Sequence, residues 1–285
     1  MASSPLANCL DLSALPAGQA KFALIKSRVE AALEKKVPSA LTVRERPTPP
    51  LVPFGIAEVD ALLCGGLPRG ALAEITGPVS SGRTSLLHSL LAATTAREEF
   101  CALVDASGSF DPASAAAAGV ELSRVLWVKC SAAVPAAVAR ASRSRSAETK
   151  MPVLRPLDRV LRVADLLLAS GGFGLVALDL ADLSPDIARR VPLTTWFRFR
   201  RIVEGTPATL VVLEQEAHAK SCAAVVLQLH SPGFQLQCVT QDSPTHTQLL
   251  TGCAVRAELV RGHAQKKMAM SSRTAQFSTQ AAWAI

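Results

Sequence analysis

The sequence contains no tyrosine, and phenylalanine, tryptophan and tyrosine together supply only 4% of its residues. Any surface that stacks aromatic rings must therefore be drawn from three tryptophans and nine phenylalanines. Cys-x-x-Cys pairs are missing as well. The seven cysteines, Cys9, Cys64, Cys101, Cys130, Cys222, Cys238 and Cys253, are odd in number and widely spaced. That pattern argues against a disulfide framework and a zinc site and predicts reduced, mostly buried thiols. His88, His218, His230, His246 and His263 are scattered without metal-ligand spacing, and no Ser, His and acid arrangement suggests a nucleophile. No apolar stretch approaches the roughly 20 residues needed to cross a bilayer, and no basic segment with an apolar signal core opens the chain. The expectation is a cytoplasmic protein without a membrane partner. Internal repeats are not evident.

What is present is 285 residues, 49% of them hydrophobic, enough for one substantial core. A formal charge of +7 favours an acidic partner such as nucleic acid, while remaining compatible with ordinary solubility. Residues 1–50 read as an appendage. Phe22, Ile25, Val29, Ala32 and Leu33 recur at helical spacing among charged residues, and a linker from Pro38 to Pro50 follows, whose prolines cannot continue a helix. Residues 51–285 read as the core domain. Apolar strands at 71–76, 100–105, 125–129, 174–179 and 208–213 alternate with helical runs at 84–97, 112–118, 155–169 and 187–203. The alternation predicts an α/β fold, a mainly parallel twisted sheet flanked by helices. Strand-like segments at 223–229, 234–240, 253–260 and 275–278 lack long helices between them and predict an antiparallel C-terminal extension. Between them, about 131–153 is rich in Ala, Ser and Arg and reads as a basic insertion, either touching phosphates or merely solvated.

The most informative stretch is Gly77-Pro78-Val79-Ser80-Ser81-Gly82-Arg83-Thr84-Ser85. A Gly-x-x-x-x-Gly-Lys-Ser/Thr loop curls successive backbone N–H groups around a phosphate, adds a lysine charge and offers a hydroxyl to magnesium. Here the glycines and hydroxyl are kept and the lysine is Arg83. An apolar strand enters the loop and a helix leaves it, the context the motif requires; a plain Gly/Ser turn before a helix is the alternative. A second element is Leu175-Val176-Ala177-Leu178-Asp179, an apolar strand ending in an aspartate that could help place magnesium. Arg189, Arg190, Arg198, Arg200 and Arg201, interleaved with Trp196, Phe197 and Phe199, could grip single-stranded DNA or a protein partner. The competing reading puts Leu193, Trp196, Phe199 and Ile202 on one helical face packed against the sheet.

With these elements the sequence resembles the RecA-like P-loop family, and more closely its shortened ImuA type, from about Phe54 to Phe277. The resemblance rests on Pro53-Phe54-Gly55-Ile56, Gly65-Gly66-Leu67-Pro68-Arg69-Gly70, Glu74-Ile75-Thr76-Gly77-Pro78, Leu103-Val104-Asp105-Ala106, Asp111-Pro112, Leu259-Val260-Arg261-Gly262-His263 and Ala275-Gln276-Phe277. It implies a RecA-like core in which Gly77, Ser80, Ser81, Gly82, Arg83, Thr84, Ser85 and Asp179 bind nucleotide. Thr84 and Asp179 would place magnesium if ATP binds. Asp111, Gln215, Arg261 and His263 would lie at nucleotide or inter-subunit positions.

The departures are as informative. Where the family holds a water-orienting glutamate, this chain has Ser107, and where a tyrosine stacks on adenine it has Ser114. Arg261 and His263 stand where the family extends two lysines into a neighbouring subunit. Asp179 and Gln215 are followed by short connections, which leaves little room for the family's two DNA loops, and the chain ends soon after the core. The implied function is an accessory protein of DNA damage repair and tolerance in the SOS response. Its partners would be DNA repair proteins, in particular an error-prone, ImuB-like polymerase assembly. ATP hydrolysis and recombinase activity would be little or none, and single-stranded DNA and oligomer contacts stay open. The alternatives are a DNA-dependent ATPase of the RecA class and a RecA-like cell-division inhibitor.

Overall fold

The structure is a computed structural model that describes residues 17–33, 49–130, 156–237, 249–262 and 273–280. The sequence-predicted basic insertion at about 131–153, His263 and most of the proline-rich linker lie outside the described residues. The chain divides into two compact units, Met1–Thr48 and Pro49–Ile285. In the first, α1 (Ala17–Leu33) carries Phe22, Leu24, Ile25 and Val29, all exposed.

The second unit opens with β1 (Leu51–Val52), α2 (Ala57–Leu62) and β2 (Leu67–Pro68), β1 and β2 forming a small antiparallel pair. Both carboxylate oxygens of Asp60 on α2 accept backbone N–H groups, from Phe54 at 2.7 Å and Gly55 at 3.0 Å. Eight strands then make one sheet. They are β3 (Leu72–Thr76), β4 (Cys101–Asp105), β5 (Val125–Lys129), β6 (Leu175–Asp179), β7 (Thr209–Glu214), β8 (Val225–Gln237), β9 (Leu249–Arg261) and β10 (Thr274–Gln280). The spatial order is β10-β9-β8-β3-β7-β6-β4-β5. From β8 to β5 all pairings are parallel, whereas β9 and β10 are antiparallel additions. The fold class predicted from the alternation of strands and helices is the one observed, an α/β fold with a mainly parallel sheet flanked by helices and an antiparallel C-terminal extension.

Every residue of β3, β4, β6 and β7 is buried, because helices cover both faces of the sheet. On one face α3 (Arg83–Thr95) lays Leu86, Leu87, Leu90 and Leu91 against Ile75, Leu103, Val211 and Leu213. On the other, α5 (Pro156–Ser170) and α7 (Leu193–Val203) pack Val160, Ala164, Trp196, Phe199 and Val203 against Leu72, Val104, Leu178 and Val212. Each such aliphatic or aromatic side chain contributes about 1.5–3 kcal/mol by leaving water. The short α4 (Pro112–Ala117) follows β4, capped by Asp111, and α6 (Pro185–Ala188) follows β6.

Two expectations are corrected. The helix expected over 187–203 is broken into α6 and α7, because Pro192 takes an extended conformation (φ −65°, ψ 142°) and serves as the N-cap of α7. The two strands expected at 223–229 and 234–240 run together in β8, whose register shift between His230 and Gly233 absorbs Pro232, with 238–240 outside the described residues. No helix among the described residues is long and apolar enough to cross a membrane.

Candidate functional site

Because the six parallel strands run together, the carboxyl ends of β3, β4, β6 and β7 meet at one rim, where strand order switches between β3 and its neighbours. The loop 77–82 leaves β3 at that rim. Its first N–H, on Gly77, donates to the Gln215 carbonyl at 3.2 Å, and Ser81 N–H donates back to the Pro78 carbonyl at 3.2 Å. The turn is tight enough to require glycine at both ends. A Cβ on Gly77 (φ 154°) would lie 2.4 Å from the Leu229 carbonyl, and one on Gly82 (φ 91°) 2.6 Å from Val255 Cγ2. Ser80 also takes a left-handed conformation (φ 62°).

Gly82 is the N-cap of α3 and supplies no side-chain acceptor, and the first turn of the helix has no acidic residue. The opening N–H groups of α3 are therefore available to an anion, in the field of the helix dipole. Thr84 is exposed and Ser85 half-buried at this end, whereas the hydroxyl of Ser81, 1% exposed, has no partner among the described residues.

Arg83 behaves differently from its neighbours. Its side chain turns into the protein, 6% exposed, and Nη1 donates to the Ala181 carbonyl at 3.5 Å. Burial lowers its pKa, against which the Asp179 and Asp182 carboxylates hold it charged. Asp179 is itself pushed up to about 6, first by burial, with the Ala181 N–H opposing, then by Asp105 and Asp182 raising it and Arg83 lowering it. The same connection after β6 is gripped from β7, where Gln215 Nε2 donates to the Ala181 and Leu183 carbonyls at 3.2 and 3.3 Å.

At the end of β4, Asp105 is fully buried and fully used. It accepts N–H groups of Gly108 (2.6 Å), Ser109 (3.3 Å) and Phe110 (3.1 Å) and the indole N–H of Trp127 (3.2 Å). Ser107 lies within hydrogen-bond distance of Asp182 (3.0 Å), Asp105 (3.4 Å) and Ser109 (2.9 Å).

Beside Thr84 and Ser85 opens a cavity of about 590 Å³, lined further by Ile56, His88, Ser89, Ser114, Ala117, Ala118 and residues 277–280. Its ring-bearing walls are His88 and Phe277. His88 packs edge-on against Phe110, and burial lowers its pKa while Asp111 raises it. Ser114 donates its hydroxyl to Asp111 at 2.5 Å.

Other sequence-predicted residues fall elsewhere. Arg261, at the end of β9, donates to the Lys220 and Ala223 carbonyls. Of the five arginines around α7, Arg189 pairs with Glu216 (3.3 Å), Arg198 with Asp165 (3.0 Å) and Arg200 with Glu204 (2.9 Å), while Arg190 and Arg201 are exposed. Trp196 and Phe199 are 0% exposed, as the helical spacing predicts for a packing face, whereas Leu193, expected on the same face, is 39% exposed at the start of the helix; of the aromatic rings there only that of Phe197 meets solvent. Among the described residues no group of three or more His, Cys, Asp or Glu is placed to hold a metal ion.

Sequence reasoning missed a buried cluster on the opposite side of β3. Glu74 and Glu214, both 0% exposed, meet His218, and their signal was a glutamate in the middle of the largely apolar β3 and another closing β7.

Residues 44–135 match the RecA N-terminal domain. The chain is similar to protein RecA of Methylococcus capsulatus, 34% identical over 137 residues, 47% of this chain and 33% of that protein. It is similar to protein RecA of Mesorhizobium japonicum, 45% identical over 76 residues, 26% of this chain and 21% of that protein. Protein RecA of Ectopseudomonas oleovorans is 34% identical over 119 residues, 42% of this chain and 27% of that protein. The chain thus spans a third or less of the length of these relatives, and the matches support a RecA-like family.

Proposed function

We propose that this protein is a RecA-like accessory protein of DNA damage repair and tolerance, of the ImuA type. On this reading it supports error-prone translesion synthesis through contacts with a polymerase assembly, keeps a phosphate-binding loop, and has little or no hydrolytic or recombinase activity. The observation that carries it is the end of β4, where Ser107 supplies a hydroxyl and both oxygens of Asp105 are bound by N–H donors. Neither group is free to take a proton from an attacking water.

A phosphate fits the loop. The first N–H groups of α3, the absence of acidic residues in its first turn and the partnerless Ser81 hydroxyl all favour an anion. ATP would place its phosphates on the backbone of Gly77 to Ser85 and its base toward the cavity beside Ser85, supplying a phosphoanhydride. No tyrosine is present to stack on that base, which removes roughly 1 kcal/mol or more of binding. A magnesium ion fits poorly, since the carboxylate that would face it, Asp179, accepts the Ala181 N–H at 3.0 Å, and the buried Arg83 guanidinium reaches the Ala181 carbonyl two residues further on.

The intact glycine loop favours a second reading, a DNA-dependent ATPase of the RecA class. Deleting the gene and exposing cells to DNA damage separates the two. An accessory role predicts loss of damage-induced mutagenesis with homologous recombination unchanged. Loss of recombination would favour the ATPase, and division arrest on expression without any change in mutagenesis would favour an inhibitor of cell division.

A further inference from the structure

We propose that Arg83 is a built-in counter-ion to the carboxylates behind the phosphate loop, so that the loop takes nucleoside di- and triphosphates without a divalent cation. The inference rests on the reading of residues 77–85 as a phosphate site and adds which ionic form of nucleotide it accepts.

Three aspartates gather behind the loop: Asp105 and Asp179, both buried, and Asp182. Their proximity is fixed by shared partners, Ser107 lying 3.0 Å from Asp182 and 3.4 Å from Asp105. Asp105 and Asp179 are paired residues of neighbouring strands. An anionic phosphate arriving at the rim meets that negative field, and a phosphate site with such a background needs a cation between the two. A divalent metal is one solution. Here the sequence provides another: Arg83 is 6% exposed, its Nη1 reaches the Ala181 carbonyl, and its guanidinium sits in the field of Asp179 and Asp182.

A guanidinium stays charged at any working pH and carries donors in a fixed fork, so a buried arginine can satisfy carbonyl and carboxylate groups together. A lysine at this position would offer a compact point charge on a flexible stem. Arg83 also ties the loop to the 180–183 connection, sharing the Ala181 carbonyl with Gln215 Nε2, which also holds the Leu183 carbonyl.

The test is calorimetric titration of the full-length protein with ATP and with ADP, once with EDTA and once with excess magnesium. The expected result is affinities that agree within about twofold between the two conditions. In Arg83→Ala, with circular dichroism confirming the fold, binding in EDTA should fall about tenfold or more relative to binding in magnesium. Wild-type binding that requires magnesium overturns the proposal, as does an Arg83→Ala protein that binds equally well in both conditions. Absence of binding in either condition also overturns it, but leaves the accessory role standing, since that role is read from mutagenesis and recombination.

Discussion

Glu214→Gln should flatten the dependence of stability on pH. Glu74 and Glu214 lie on neighbouring strands in parallel register, Glu74 opposite Val212 and Thr76 opposite Glu214, so both side chains share one face of the sheet. Both are 0% exposed. Glu74 Oε1 accepts N–H groups of His218 (2.8 Å) and Ala219 (2.7 Å), and Glu214 Oε2 lies 2.5 Å from His218 Nδ1. The remaining oxygens, Glu74 Oε2 and Glu214 Oε1, have no partner among the described residues. Burial, then the neighbouring Glu74, pushes the Glu214 carboxyl up to about 9. Burial raises Glu74 too, against the two N–H donors and Arg261. His218 is held neutral, mainly by burial, with Glu216 opposing and Arg189 and Lys220 adding to the shift. At neutral pH Glu214 is thus the protonated partner of the pair it makes with His218 Nδ1.

A carboxyl with a folded pKa near 9 and an unfolded one near 4.5 binds a proton in the folded state that the unfolded chain has lost. Its stabilisation is full below pH 4.5 and disappears as pH rises through 9. Within that window one such proton gives a slope of about 1.4 kcal/mol per pH unit, or roughly 2–3 kcal/mol between pH 6 and pH 8. A glutamine keeps the donor to His218 and does not titrate. Urea unfolding at several pH values should therefore show the variant gaining on the wild type by about that amount across the interval. Parallel stability curves for the two proteins would refute the buried-proton account.

Other substitutions test the packing and the loop. Gly82→Ala forces a Cβ to 2.6 Å from Val255 Cγ2 at a φ of 91°, and thermal unfolding should register a loss of about 1–3 kcal/mol. Trp196→Ala removes the largest fully buried side chain of the α7 face and should cost about 3–5 kcal/mol in denaturant unfolding. Arg198→Ala breaks a half-exposed pair with Asp165, so the same measurement should move by less than about 1 kcal/mol.

The sheet was legible because its central strands are buried on both sides. Leu72 to Thr76, Cys101 to Asp105, Leu175 to Asp179 and Thr209 to Glu214 are short, largely apolar runs without the alternation of a half-exposed strand or the polar face of an amphipathic helix. The place of the loop was legible because two glycines at the spacing of Gly77 and Gly82, between an apolar strand and a helical run, mark a tight turn, and the structure has it between β3 and α3 with positive φ at both. The break at Pro192 was lost because the apolar spacing of Trp196 and Phe199 extends smoothly backward, whereas the proline's backbone decides the boundary. Ser231-Pro232-Gly233 reads as a turn, yet pairing with β9 on both sides carries the strand through it as a bulge. The inward course of Arg83 was not legible at all, since loop position alone does not tell whether a long side chain faces the ligand or the carboxylates behind it. Nor was the Glu74, Glu214 and His218 cluster, which needs the parallel register of two strands far apart in sequence.

The most direct test of the account is ATP turnover by the purified protein, with magnesium and single-stranded DNA present, measured beside Thr84→Ala. On the proposed reading, Ser107 and Asp105 beside the loop give no free carboxylate to activate water, which predicts turnover no higher than that of the variant. Turnover that single-stranded DNA stimulates and Thr84→Ala abolishes would contradict it and place the protein among working ATPases.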